Sequence, residues 1–318
     1  MICGVDISQQ SLEVRIGPEG PAGCFPNTPK GIALLADFCQ AHSVHLVAME
    51  ATGGYEKQPF ALLWARAIPV AILNPRAVRH FARAMGILEK TDAIDAGMIA
   101  WFAETKRCVP CSPASAEQQR LKALVVRLRQ LTDLRTAQRN QRLLVSDATV
   151  LNSFSKTLAF LAQQIRALEV AILKLIAADP LWQQLDQTFR SIKGVADRTV
   201  ARLMAEMPEI GTLSNKAISK LAGLAPLARD SGKAQGKRPV RGGRRGVRDI
   251  LFIVAGGVAR FHPDFIAFRQ RLAAAGKPKK VIRVALAHKL LVRLNAKARE
   301  VRKQFVNGTG TVCQQAVS

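Results

Sequence analysis

Two acidic residues near the start of the chain are well placed to do chemistry. Asp6 directly follows the apolar run ICGV, and Glu50 ends the apolar run HLVAM, so both carboxylates lie at predicted strand positions. Burying a carboxylate there is costly without a positive partner, and no Lys, Arg or His lies within two residues of either one. If the two strands are neighbours in one sheet, Asp6 and Glu50 face each other near the edge where α/β sheets bind ligands.

Two further carboxylates, Asp92 and Asp95, lie in the segment EKTDAIDAGMIAWFAE. Their spacing of three places both on one face of a predicted helix. Four carboxylates would attract divalent metal, and oxygen ligands favour Mg²⁺ or Mn²⁺ over zinc. Two such ions can drive displacement at a phosphodiester. Taken singly, Asp6 is explained as a turn residue, Glu50 as an exposed edge residue and Asp92 as a helix cap. It is the occurrence of all four carboxylates in this order that indicates a metal site.

Ser231 lies in the Gly- and Arg-rich segment 227–249, which predicts a loop or hairpin. A serine is a poor nucleophile unless a base or metal activates it, and nearby cations can stabilise charge that builds on a phosphate. The local sequence alone favours a turn serine or one that hydrogen-bonds phosphate. The predicted nucleic-acid contacts around it are Arg229, Lys233, Lys237, Arg238, Arg241, Arg244, Arg245 and Arg248.

The segment IKGVADRTVARLMAEM (192–207) resembles a helix-hairpin-helix turn. In such a turn, Gly194 and Val195 would let backbone N–H groups approach a phosphate at a helix N-terminus. An ordinary helix turn is the alternative.

The charge of the chain is divided unevenly. The 318 residues include 47 Lys and Arg against 23 Asp and Glu, a net charge of +24, and the whole excess lies in residues 111–318. This predicts a polyanionic partner for the basic part, namely nucleic acid, although a basic solubilising surface has the same composition.

The pattern of apolar residues predicts a mixed α/β sheet followed by a helical remainder. Antiparallel strands over residues 2–17 lead into alternating helices and strands, and Pro75 begins a helix. Leucines and isoleucines then recur at spacings of three and four over 121–131 and 158–175, which is typical of coiled-coil seams. These helices form an antiparallel hairpin or pair with a second subunit, and core packing within one chain is the alternative.

Several classes of function are disfavoured. The longest apolar stretch, ILFIVAGGVA (250–259), is about half of the roughly 20 residues that a membrane span needs, so we expect a cytoplasmic protein with no membrane partner. Cys108 and Cys111 form a single CxxC without a second pair, which argues against zinc. The segment GKAQGKRP lacks the final Ser or Thr of a P-loop, so ATP dependence is not indicated.

Three acidic segments, GVDISQQSLEV, VAMEATGGYE and KTDAIDAGMIA, resemble the blocks of a RuvC-like, ribonuclease H-fold domain in transposases of the insertion sequence 110/1111 family. The segment from SIKGVADR to RDSGK is similar to the C-terminal transposase domain of that family. With the helices between them, the resemblance covers nearly the whole chain. It implies that Asp6, Glu50, Asp92 and Asp95 are the metal-binding DEDD carboxylates and that Ser231 is the nucleophile.

The resemblance also implies an organisation and a set of partners. We expect a RuvC-like domain (1–110), a coiled-coil dimerisation segment (111–188), a mostly α-helical basic transposase domain with the serine (189–305) and a flexible tail (306–318). The implied activity is DNA recombination guided by an element-encoded bridge RNA, with donor and target DNA joined through a serine–phosphate bond. Mg²⁺ or Mn²⁺, a dimer that becomes a tetramer in the synaptic complex, and association with the bacterial nucleoid are implied too.

Rival functions predict different behaviour. A Holliday-junction resolvase-like nuclease would use the carboxylates with water and would not need Ser231. A non-catalytic nucleic-acid-binding protein would need neither. An actin-like sugar kinase shares the opening strand, but the net charge and the missing Gly-rich adenosine site disfavour it.

Overall fold

The computed structural model describes the backbone of residues 1–87, 89, 92–228, 230–231, 234–235 and 238–315. Within those ranges, the side chains of residues 92–93, 230–231, 234–235 and 306–315 lie outside the description. The chain divides into two compact units, Met1–Ala114 and Ser115–Ser318.

The first unit is built on a five-stranded mixed sheet. Its order is β3-β2-β1-β4-β5, in which β1 pairs antiparallel with β2 and parallel with β4. This confirms the α/β class predicted from the alternating pattern. The strands are β1 (Ile2–Ile7), β2 (Ser11–Ile16), β3 (Ala22–Pro26), β4 (Leu46–Glu50) and β5 (Val70–Leu73).

Four helices cover this sheet: α1 (Pro29–Ala41), α2 (Lys57–Ala65), α3 (Pro75–Ala84) and α4 (Asp92–Thr105). Helix α3 begins as predicted, because Pro75 has the backbone angle of a first helical residue and the Asn74 side chain accepts a hydrogen bond from the Arg76 amide at 3.0 Å. Helix α1 has the same kind of start at Thr28 and Pro29. Cys3, Val5 and Ile7 of β1 belong to the buried cluster that includes residues of α1.

Helix α4 packs closely on the other face of β1. A Cβ at Gly4 would lie 2.6 Å from the amide nitrogen of Ala100 and closer still to the carbonyl oxygen of Ala96. Only glycine permits this approach, since real Cβ atoms essentially never lie within 3.0 Å of such atoms. Ile2, at the start of β1, packs in the cluster that contains Phe102 and Ala103 near the end of α4. Helix α4 therefore runs antiparallel to β1.

The second unit opens with a helical hairpin of α5 (Ala116–Arg142) and α6 (Ala148–Ala178). Since only five residues join these long packed helices, they run antiparallel, as one of the predicted alternatives requires. The seam buries Leu121, Val125, Leu128 and Leu131 of α5 with Leu161, Ile165, Ile172 and Ile176 of α6.

Within the described residues, six further helices and a small β-hairpin complete the unit: α7 (Pro180–Arg190), α8 (Asp197–Glu206), α9 (Asn215–Leu221), β6 (Asp230–Ser231), β7 (Ala234–Gln235), α10 (Arg245–Phe261), α11 (Pro263–Ala274) and α12 (Lys279–Gln315). Asn295 of α12 is fully buried, and its side chain accepts from the Gly211 amide at 2.8 Å and donates to the Leu213 carbonyl at 3.0 Å. This pairing ties the turn before α9 to α12.

Helix α12 continues to Gln315, so its backbone enters the segment predicted as a tail, of which residues 316–318 lie outside the described part. The boundaries expected at 110, 188 and 305 stay predictions. Within the described residues, no single helix combines the length and apolar composition needed to cross a membrane, and only the pair α10 and α11, bent by 102°, reaches them jointly.

Candidate active site

Asp6 and Glu50 lie side by side at one edge of the sheet. Strands β1 and β4 are parallel neighbours in register from Ile2–Leu46 to Val5–Met49, so Asp6 and Glu50 are the next pair. Registered neighbours point to the same face of a sheet, which here is the face that Gly4 presents to α4. Both carboxylates are half-buried.

The first turn of α4 lies at this same edge, because α4 runs antiparallel to β1. Asp95 directly precedes Ala96, which packs on Gly4, and its side chain is half-buried. Asp92 begins the helix one turn earlier, and its side chain lies outside the described residues. The fold thus brings the backbone positions of all four predicted carboxylates to one end of the sheet.

Sequence reasoning missed two charged residues on this face. Glu13 of β2 is the antiparallel register partner of Asp6, and Arg15 is the partner of Gly4. Alternation along β2 buries Leu12, Val14 and Ile16 on the opposite face, so Glu13 and Arg15 share the face of Asp6. The alternation was visible in SLEVRI, but the pairing with β1 was needed to place Glu13 beside Asp6.

The donor set at this edge fits a hard divalent cation, since carboxylate oxygens are the ligands that Mg²⁺ and Mn²⁺ prefer. Among the described side chains, however, no three of the His, Cys, Asp and Glu residues are grouped closely enough to hold a metal ion. Asp92 is not among these side chains, because its side chain lies outside the described residues. The residue types and their strand register therefore fit a divalent cation, although the described side chains do not form a set of three ligands.

Ser231 lies near the tip of the hairpin that was expected over 227–249. Ser231 pairs with Ala234, and the two residues that connect them lie outside the described residues. At the base, Pro226 forms a bridge with Val240, and the Leu227 amide donates to the Pro239 carbonyl at 3.0 Å. The hairpin prediction is confirmed, while the Ser231 side chain is not described.

The arginines that follow the serine divide into two groups. Arg238, Arg241 and Arg245 are exposed, and the side chain of Arg245 is 85% accessible with Asp249 at 3.5 Å. Arg244 and Arg248 are less exposed and donate hydrogen bonds to the protein. Arg248 donates to the Gly242 carbonyl at 2.6 Å, and Arg244 donates through both ends of its guanidinium to Glu209. Arg229, Lys233 and Lys237 lie outside the described residues.

The predicted helix-hairpin-helix turn joins α7 to α8. Gly194 has a φ of +102°, and a Cβ there would lie 3.1 Å from the amide nitrogen of Val258. The Val195 amide donates to the Ile192 carbonyl at 2.9 Å, and the Val195 side chain is buried. The turn is thus packed against α10, and a phosphate contact by Gly194 and Val195 stays a prediction.

Sequence reasoning also missed Lys193, a basic residue beside this turn. The Lys193 ammonium lies 5.1 Å from the ring centre of Phe261, which is itself 54% exposed. An exposed aromatic ring and a lysine together can contact a nucleic-acid backbone and bases. The signal in the sequence was the position of Lys193 directly before Gly194.

Two family models match the chain. A transposase model of the IS110 DEDD type matches residues 3–145, and a model described as the transposase IS116/IS110/IS902 family matches residues 186–270. The first range contains the four acidic positions, and the second contains Ser231.

Known proteins similar to this chain fall in the same group. The chain is 28% identical to the pilin gene-inverting protein of Moraxella bovis and 29% identical to that of Moraxella lacunata, in both cases over 94% of this chain and 96% of the relative. It is 29% identical to an uncharacterised 43.6 kDa protein of insertion element IS110 from Streptomyces coelicolor, over 48% of this chain and 37% of that protein. A solved structure of Thermus thermophilus RuvC matches 35% of this chain and 99% of its own length, with 13% identity and a TM-score of 0.25.

Proposed function

Because this chain belongs to the IS110 family of transposases, we propose that it cuts and rejoins DNA through a covalent bond between Ser231 and a DNA phosphate. The enzyme is a DNA transposase or recombinase, and its substrates are DNA. In the proposal, a RuvC-like domain (1–110) supplies the carboxylates, and a basic domain (189–305) supplies the serine.

One observation carries the carboxylate half of the proposal. Asp6 and Glu50 directly follow Val5 and Met49, the last registered pair of two adjacent parallel strands, at the edge where the helix that begins at Asp92 and includes Asp95 has its first turn. Like-charged side chains held together at a sheet edge raise the free energy of the fold unless a cation neutralises them. Asp6, Glu50, Asp92 and Asp95 would hold Mg²⁺ or Mn²⁺, which when bound would supply Lewis-acid stabilisation of charge on the phosphate.

The second half of the proposal, attack by Ser231, exchanges one phosphorus–oxygen bond for another. The Ser231 oxygen forms a bond to phosphorus while the bond from phosphorus to the 3′ oxygen breaks, which leaves a 5′-phosphoserine link. The proton that the serine loses is matched by one that the 3′ oxygen gains. Attack by another 3′ hydroxyl reverses these steps and frees the serine, so the phosphodiester is reformed without an external energy source.

The basic surface would hold the nucleic acid. Arg241 and Arg245 are exposed on either side of the glycines that follow the hairpin, and Lys193 and Phe261 lie at the α7–α8 turn. Contacts from such side chains to phosphates fix position without reading sequence. Bridge RNA would then supply sequence specificity by base pairing with donor and target DNA, and the net charge of +24 is ample for RNA and DNA together.

Self-association is proposed from the far half of the α5–α6 hairpin. Beyond Leu131 and Leu161, none of its residues is buried. Leu143, Leu144 and Phe160 are instead 83%, 87% and 59% exposed. Apolar side chains at such density favour burial against a second copy, which supports a coiled-coil dimer and, in the synaptic complex, a tetramer.

The test is detection of protein covalently bound to DNA. Protein, Mg²⁺, candidate element-derived RNA and end-labelled DNA are incubated and run on a denaturing gel, with Ser231→Ala, Asp6→Asn and the matched control Ser153→Ala, which alters an exposed serine on α6. We expect an adduct with the wild type and the control, and none with the other two variants. Cleavage without an adduct that survives Ser231→Ala would indicate a water-using nuclease. Equal recombination with and without RNA would refute the proposal that RNA guides the reaction.

A further inference from the structure

The hairpin that carries Ser231 is fixed at its base by close backbone packing. A Cβ at Gly243 would lie 2.6 Å from the Leu221 carbonyl oxygen, and Gly243 has a φ of +65° that favours glycine. The next amide, that of Arg244, donates to this same carbonyl at 2.8 Å. The second arm of the hairpin therefore ends on the C-terminus of α9.

The Arg244 side chain adds a second attachment. Its two terminal nitrogens donate to the two carboxylate oxygens of Glu209, each at 2.6 Å, and one of them also donates to the Glu206 carbonyl at 2.8 Å. Such a bidentate, charge-assisted pair is strong and fixes orientation as well as distance. Burial favours a higher pKa for Glu209, but the hydrogen bonds and charge of Arg244, a backbone hydrogen bond and the charge of Lys122 together outweigh it and lower the pKa below its usual range.

The two consecutive arginines therefore differ in their surroundings. The side chain of Arg245 is 85% accessible, whereas that of Arg244 is 36% accessible and donates to the Glu209 carboxylate and the Glu206 carbonyl. Arg244 also directly precedes α10. Its guanidinium links the end of the hairpin and the start of α10 to the loop that follows α8.

We propose that Arg244, through Glu209, is a positioning residue for the serine hairpin and not a contact to nucleic acid. This inference rests on the proposed function, because it concerns the placement of Ser231. The pair holds the base of the hairpin against the helical core, so the serine approaches the phosphate in a restricted orientation. Its loss slows formation of the serine–phosphate bond and leaves DNA affinity intact.

The experiment compares Arg244→Gln and Glu209→Gln with the matched control Arg245→Gln in the full chain. Hydrogen exchange is followed in peptides that contain the amides of Leu227 and Arg244, relative to a peptide around Asn295 that reports global stability. The same proteins are assayed for DNA affinity as a function of salt, and for the single-turnover rate of adduct formation at saturating DNA.

We expect Arg244→Gln and Glu209→Gln to speed exchange at the hairpin base about tenfold or more, since hydrogen bonds between charged groups are lost. Adduct formation at saturating DNA should slow by about 10-fold to 100-fold, with DNA affinity within about twofold of the wild type. Arg245→Gln should leave exchange at the hairpin base unchanged, while it weakens DNA binding and lowers its salt dependence.

Two results would overturn the proposal. One is unchanged exchange at the hairpin base in both Arg244→Gln and Glu209→Gln. The other is weaker DNA binding with a smaller salt slope in Arg244→Gln, which would make Arg244 a phosphate contact. If the wild type forms no adduct at all, the serine mechanism fails, and the exchange data still decide whether the pair anchors the hairpin.

Discussion

Replacement of Gly4 by alanine should separate α4 from β1 and thereby disturb the carboxylate edge. The added Cβ would lie 2.6 Å from the Ala100 amide nitrogen, and ordinary contact begins at 3.4 Å, so the helix must move by 0.8 Å at this point alone. The backbone oxygen of Ala96 is closer still. Both atoms belong to the helix backbone, so a change of side-chain rotamer cannot relieve the clash.

The shift has two measurable consequences. Overpacking of this kind costs about 1–3 kcal/mol, which for a unit of this size corresponds to a fall in Tm of roughly 4–12 °C. Because Asp95 precedes Ala96 on the shifted helix, it moves relative to Asp6 and Glu50. A displacement of catalytic groups by about 1 Å can lower a rate by about 10²-fold, so DNA cleavage should fall by that order at temperatures where the variant is still folded.

The assay measures single-turnover DNA cleavage beside thermal unfolding. Gly23→Ala in β3 is the matched control, because its Cβ would meet only side-chain atoms, the nearest at 3.2 Å on Phe25. We expect the control to behave like the wild type. If Gly4→Ala cleaves DNA at the wild-type rate and melts at the wild-type temperature, close packing of α4 on β1 does not position the carboxylates.

Three other predictions concern the second unit. Burial lowers the pKa of His288 below its usual 6.5, so near that pH the unfolded chain binds more protons than the folded one and stability falls with acidification. His288→Gln should therefore reduce the loss of unfolding free energy between pH 7.5 and 5.5, measured by urea titration. An unchanged loss would exclude this histidine as its source. Asn295→Ala leaves the buried Gly211 amide without its partner, while the Leu213 carbonyl still accepts from Arg299 at 2.8 Å, so the change should cost about 1–3 kcal/mol in denaturant unfolding. A cost below about 0.5 kcal/mol would contradict the observed pairing. The double variant Leu144→Ser, Phe160→Ser should shift sedimentation toward the monomer and lower Tm only at concentrations where the wild type is associated, and retention of the wild-type oligomer would show that another surface holds the copies together.

The sequence was most informative where burial dictates a pattern. The apolar runs before Asp6 and Glu50 predicted two strands, because runs of that length with polar ends are typical of buried strands in α/β folds. Their adjacency in one sheet was a condition that the sequence left open. The three–four spacing of leucines predicted α5 and α6 for the same reason. Pro75 predicted a helix start, since its backbone angle suits the first turn.

Which segments pair with each other was harder to predict from the sequence. Glu13 lies beside Asp6 only because β2 pairs with β1 in one register, and a shift of one residue would place it on the other face. Arg244 and Arg245 are identical neighbours in the sequence, yet only Arg244 faces Glu209, 35 residues earlier in the chain. Such differences arise from the tertiary fold, so composition and local spacing cannot assign them.

The most direct test of the serine mechanism is the chemical identity of the residue that becomes attached to DNA. The covalent product is digested with nuclease and trypsin, and the peptide that retains a nucleotide is sequenced by mass spectrometry. We expect a phosphonucleotide on Ser231 and on no other residue. A nucleotide on Tyr55, the single tyrosine of the chain, or cleaved DNA with no nucleotide-bearing peptide, would contradict it.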